Sequence, residues 1–247
     1  MKYFAKIKYL GTDFCGFQVQ PDKRTVQGEL CRALKEALGA PCRVTGCSRT
    51  DSGVHANEFC LTVECEGATV PPDKLPVAVA KYLPPDLSLY YAEEARPDFH
   101  PRYDVIGKEY LYRIVNSPIY DPFDFGRAWF IPRPIDENGI SVMKTCAERI
   151  IGKKDFHCFM SEGSDVTDTV RHVFYIDISK NGNIIEVRIC ADGFLYNMVR
   201  IIVGSLVEAA HGRFSAEDFD KMIDSRDRSN AGMTAPAHGL YLNKVSY

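Results

Sequence analysis

The sequence predicts an α+β fold of two ferredoxin-like β-α-β-β-α-β halves that share a large, mainly antiparallel sheet with a central cleft. Three observations point there. Each half opens on strand-like alternation, helical stripes with capping residues follow at matching places, and Asn181-Gly182 joins two alternating runs as a hairpin turn. A chain of 247 residues has room for one large core or two modest ones.

The elements follow in order. Lys2–Leu10 is a strand with Tyr3, Ala5, Ile7 and Tyr9 on one face. Val26–Leu38 is a helix with Thr25 as its N-cap, an apolar stripe of Val26, Leu30, Leu34, Ala37 and Leu38, and Gly39 as its stop. Strands are expected at Arg43–Gly46 and Phe59–Cys65, a second helix at Asp73–Leu83 with Pro76 in its first turn, and a strand at Leu87–Ala92.

The second half opens with a strand at Val105–Asn116 and a helix at Ser141–Ile151, whose Ile140, Met143, Ala147, Ile150 and Ile151 face the core. Val170–Ser179 and Ile184–Cys190 form the hairpin, Tyr196–Ala210 a helix ending near Gly212, and Ser215-Ala216-Glu217-Asp218 a capping box that starts a short helix. Leu240–Tyr247 is the last strand. Pro97 and Pro101 interrupt regular structure near Arg96–Tyr103, which divides the chain into 1–103 and 104–247.

Composition narrows the class. The start, MKYFAKIKYL, lacks the apolar core of a signal peptide, and Phe194–Val207, the longest apolar stretch, contains Asn197 and Arg200 and falls short of the roughly 20 residues of a membrane span. The expected location is therefore the cytoplasm. Nine cysteines, an odd number without a C-x-x-C pair, read as reduced, mostly buried thiols rather than disulfides or a zinc site. The net charge of −3 offers no overall attraction to nucleic acid, so any RNA contact must come from a local cluster. There is no dinucleotide fingerprint, P-loop or metal spacing among the histidines, so neither a cofactor nor a metal is expected.

The segment from Gly46 to Ala56 concentrates Arg49, Thr50, Asp51, Ser52 and His55 between two expected strands. Such a loop is either an ordinary polar turn or a functional loop. Arg200, set in the run Met198–Val203, is the only full charge between Asp192 and Glu208. It either pairs with a carboxylate or snorkels to solvent. Tyr110 and Tyr112 share one strand face, as core rings or as a stacking surface for a base. Phe99, His100 and Arg102 at the junction suit either a grip on a flipped nucleotide or a linker clamp.

These segments resemble one family. GCSRTDSGVHA is similar to the catalytic loop of the TruA family of tRNA pseudouridine synthases. YLGTDFCGFQVQP, TVQGELCRAL, DFHPRYDVIGKEYLYRI, FLYNMVRIIVGSLVEAAHG and TAPAHGLYL follow the family's order from residue 9 to residue 242. Ser48 and Ser52 depart from the family's usual Gly and Ala. The resemblance implies an isomerase acting on uridines 38, 39 and 40 of the tRNA anticodon stem-loop, with Asp51 as catalytic aspartate, Tyr110 stacking on the target base, Arg200 as the basic partner of Asp51, and a homodimer. Arg49, His55 and Arg102 are then candidates for the phosphates or the vacated position, and Lys23, Arg24, Lys153 and Lys154 for the outer RNA backbone. A non-catalytic RNA-binding module is the first rival. A small-molecule hydrolase using Asp51 and His55 is the second, and a structural protein the third.

Overall fold

Alternation makes Lys2–Tyr9 the first strand, β1, with Tyr3, Ala5 and Ile7 fully buried on one face. In the computed structural model, which describes residues 1–164 and 166–247, β1 is followed by α1 (Val26–Leu38), β2 (Arg43–Gly46), β3 (His55–Glu64), α2 (Leu75–Ala80) and β4 (Leu87–Glu94). Thr25 caps α1 by accepting from the Gly28 amide, and Gly39 ends it at φ 72°. Antiparallel pairing of β1 with β3 and β4, and of β2 with β3, gives the order β4-β1-β3-β2 of a ferredoxin-like sheet.

The chain then forms β5 (Gly107–Asn116), β6 (Trp129–Ile131), α3 (Glu137–Glu148), β7 (Gly152–Asp155), β8 (Val170–Asn181), β9 (Ile184–Ala191), α4 (Met198–Ala210), α5 (Ala216–Ser225) and β10 (Leu240–Ser246). β9 pairs antiparallel with β5 and β8 as β3 pairs with β1 and β2, so the first motif recurs. Gly182 at φ 58° makes the β8–β9 turn, and Ser215 and Asp218 close the capping box of α5. The α+β class and the mainly antiparallel pairing are as the sequence predicts.

Two compact units result, one of Met1–Ile106 with Tyr241–Tyr247 and one of Gly107–Leu240. The last strand, assigned above to the second half, pairs parallel with β3 through Tyr241↔His55 and Leu242↔Ala56. No local pattern announces so distant a partner. Other bounds differ as well: β3 begins at His55 rather than Phe59, β5 at Gly107 rather than Val105 and α4 at Met198 rather than Tyr196. Asp136 accepts from the Gly139 amide and starts α3 before Ser141, leaving Ile151 outside the helix and 38% exposed. A 3-10 turn at Pro72–Lys74 shortens α2. β6 and β7, three and four residues long, carry too little alternation to be foreseen.

Candidate active site

In the first unit the loop between β2 and β3 carries Asp51, and the surrounding backbone fixes its course. The Phe17 amide donates to Thr50 O (3.1 Å), the Gly53 amide to Phe14 O (3.3 Å) and the Val54 amide to Asp51 O (3.2 Å). Ser52 Oγ donates to Phe14 O at 3.2 Å, and a buried contact of 2.7 Å joins the hydroxyls of Tyr9 and Thr50. Gly16 at φ 82° has no room for a side chain, since a Cβ there would stand 2.6 Å from Thr50 O. Buried backbone groups are thus paired around a half-buried Asp51 flanked by exposed Arg49 and Ser52.

Two residues foreseen as RNA contacts instead support this loop. His55 is fully buried, stacks on Tyr241 (centroids 4.5 Å apart) and accepts the Gly11 amide at Nδ1 (2.8 Å). Nδ1 as acceptor puts the ring proton on Nε2 and keeps the imidazole neutral. Burial therefore corrects the expectation that His55 reaches RNA, and weakens the hydrolase reading that needs it as an acid/base partner. Arg24 makes two bonds of 2.8 Å to Asp86 and lies 4.1 Å from the centroid of Phe14, whose carbonyl holds Ser52 and Gly53.

Phe99 packs edge-on against Phe4 (5.4 Å) and Tyr247 (5.0 Å). His100 Nδ1 accepts the amides of Arg102 (3.2 Å) and Tyr103 (3.4 Å), which leaves the Arg102 side chain exposed. Tyr103, missed by sequence reasoning, is 77% exposed beside the His100 ring. Only its place after Pro101-Arg102 would have drawn notice. Of the four outer cations, Lys23 and Lys153 are exposed, Arg24 is committed to Asp86, and Lys154 donates to Arg149 O.

The second unit holds Tyr110 and Arg200. Tyr110 is 7% exposed, with its ring edge-on to Phe194 at 5.0 Å. Its companion Tyr112 is a core ring whose hydroxyl donates to Pro236 O at 2.7 Å, and burial pushes its pKa up. Arg200, half-buried on the first turn of α4, donates from Nε to Ala235 O (2.7 Å) and from a terminal nitrogen to Asn197 Oδ1 (2.6 Å). The Ala235 amide returns a bond to Arg200 O at 3.1 Å. Asn197 adopts φ 59°, a conformation Asn tolerates, and so aims its amide at the guanidinium. Asn197 and Ala235, the partners of Arg200, lie in the segments FLYNMVRIIVGSLVEAAHG and TAPAHGLYL, but sequence reasoning named neither as a candidate.

Burial pushes the thiols of Cys146 and Cys158 up to about 11 and about 12, which disfavours the thiolate a cysteine nucleophile needs. Among the described residues, no group of three or more His, Cys, Asp or Glu is placed to hold a metal ion. No described helix is long and apolar enough to cross a membrane.

Residues 5–104 and 146–247 match the family model of tRNA pseudouridine synthase. A tRNA pseudouridine synthase A 2 of Clostridium tetani is 39% identical over 245 residues, covering 98% of this chain and 97% of the relative. A tRNA pseudouridine synthase A of Clostridium botulinum is 42% identical over 241 residues, with 98% and 97% covered. One from Halalkalibacterium halodurans is 40% identical over 236 residues, with 95% and 88% covered.

Proposed function

Since the chain belongs to the tRNA pseudouridine synthase family and is therefore an isomerase, we propose that it converts uridines 38, 39 and 40 of the tRNA anticodon stem-loop, with Asp51 as the catalytic carboxylate. The observation that supports this reading is the loop itself: a half-buried carboxylate on a loop held by hydrogen bonds to Tyr9, Phe14 and Phe17.

The reaction breaks the N1–C1′ bond, turns the uracil and forms a C5–C1′ bond. The proton leaving C5 is balanced by one gained at N1, so oxidation state is unchanged and no redox partner is required. Asp51, ionised, serves by one of two routes, attack on the nucleotide or removal of a proton during the rearrangement. A uridine in a stem must first leave the stack, at a cost of a few kcal/mol, roughly. Tyr110 offsets part of that cost by contact with the base, as a wall fixed by Phe194 rather than a mobile ring. In this reading Arg200 is the basic partner of the reacting carboxylate. Asn197 and Ala235 O hold its guanidinium in one orientation.

Arg49, exposed beside Asp51, takes the phosphate or the vacated position, and Arg102, presented by the His100 turn, a second phosphate. Phe99 and His100 position that turn. Lys23 and Lys153 meet the outer RNA backbone, and the tRNA substrate puts the enzyme in the cytoplasm. The protein acts as a homodimer, for which the exposed loop with Ile119 (77%), Phe123 (85%) and Phe125 (74%) provides an apolar surface.

The test is pseudouridine mapping on an unmodified tRNA transcript incubated with the purified protein and no added cofactor. Product at positions 38–40 supports the proposal. Binding of the tRNA without any product would favour the RNA-binding module instead.

A further inference from the structure

The outer face of the first unit's sheet, opposite the helices, has a feature that the catalytic loop does not use. β1 and β4 pair as Lys6↔Tyr91 and then Ile7↔Leu89, so Tyr90 is an extra residue in β4. Such a bulge breaks alternation and lets successive side chains share a face. Here Tyr90 and Tyr91 are 37% and 40% exposed, and each has a lysine of β1 over its ring, Lys8 at 4.4 Å and Lys6 at 5.8 Å. Glu58 pairs with Lys6 at 2.8 Å and also hydrogen-bonds Tyr90, so this face carries its carboxylate beside the lysines.

Beside Tyr91 lies an open cavity of about 600 Å³, with Phe4, Phe99 and Tyr247 as an aromatic floor and Arg96, Glu93 and Glu94 at its rim. The Tyr91 hydroxyl donates to Glu93 Oε2 at 2.6 Å and steadies the ring. Edge strands are commonly guarded by charge, whereas this one displays two rings with cations alongside. Flat apolar faces beside ammonium and guanidinium groups suit a ligand that is aromatic and anionic at once, which is the description of a nucleotide chain.

We propose that this face of β1 and β4 is an accessory RNA-contacting surface, where Tyr90 and Tyr91 stack on unpaired bases of the RNA and Lys8 and Arg96 meet its phosphates. The inference rests on the tRNA reading above and extends it to a second surface. The rim carboxylates of Glu93 and Glu94 repel phosphate and accept base amino groups, which turns a base rather than the backbone toward the cavity.

The test uses the full chain with Tyr90→Ala, Tyr91→Ala and Tyr91→Phe, and an unmodified tRNA transcript as the probe at fixed salt. Fluorescence anisotropy is expected to show binding weakened about fivefold or more by each alanine and retained by the phenylalanine, because stacking needs the ring and not the hydroxyl. KM for tRNA should rise with kcat unchanged, and sedimentation should be unaltered. Alanine variants that bind within twofold of the unaltered protein overturn the proposal. So does loss of self-association in place of RNA binding, which would mean that a second copy covers the face. Ring-dependent binding by a protein that forms no pseudouridine at positions 38–40 would leave this surface standing and remove the proposed target positions.

Discussion

Gly11→Ala tests the claim that Asp51 works only from a fixed loop. A Cβ on Gly11 would lie 1.9 Å from Val54 O and 2.5 Å from Val54 C, against a limit near 3.0 Å for real contacts. The gap from 1.9 to 3.0 Å forces a displacement of about 1.1 Å. Gly11 is tied by its amide to His55 Nδ1, so the loop yields, and the Val54 amide carries the shift to Asp51 O. A misplacement of about 1 Å costs roughly 100-fold in rate, which is about 2.7 kcal/mol of transition-state stabilisation. Overpacking also lowers stability by about 1–3 kcal/mol, so Gly139→Ala serves as control, since its Cβ would meet Ile135 at 3.0 Å in the second unit. Single-turnover pseudouridine formation at 25 °C should fall about 100-fold in Gly11→Ala and little in Gly139→Ala, with tRNA binding kept in both. Activity of folded Gly11→Ala within about threefold of the unaltered protein would refute the reasoning, because 1 Å precision would then not matter.

Arg200→Ala should lower the single-turnover rate at least tenfold, and Arg200→Lys should not restore it, because an ammonium cannot reproduce the two directed bonds to Ala235 O and Asn197. Burial holds His238 and His211 below the usual histidine pKa, and Arg200 and Arg133 push the same way. The unfolded chain then takes up protons first as pH falls. Thermal stability should therefore drop below about pH 6.5, toward the folded-state pKa values. His238→Gln with His211→Gln should flatten that profile in scanning calorimetry. For the homodimer proposed above, Phe123→Asp with Phe125→Asp should give monomer in analytical ultracentrifugation with the circular dichroism of the folded chain kept, since both rings are exposed.

Features encoded by neighbours in sequence were legible. Alternation in Lys2–Tyr9, the Thr25 and Gly39 caps, the Asn181-Gly182 turn and the Ser215 capping box act within a few residues, and each is present. Long-range pairings left no such mark. Arg24 meets Asp86 across 62 positions, and β10 joins β3. His55 stood as a candidate contact through its place in the Asp51 loop, yet a neutral imidazole stacked on Tyr241 can be buried without a large desolvation cost. The Asp51 loop stood out through its concentration of polar residue types. Its hydrogen bonds to Phe14, Phe17 and Tyr9 depend on tertiary structure and were invisible in the sequence.

The most direct measurement is pseudouridine mapping at positions 38–40 of an unmodified tRNA after incubation with the Asp51→Ala protein, alongside its tRNA affinity. With the carboxylate as the reacting group, the variant binds tRNA and makes no pseudouridine even when enzyme exceeds substrate. Continued formation of pseudouridine by Asp51→Ala would place the chemistry on another residue.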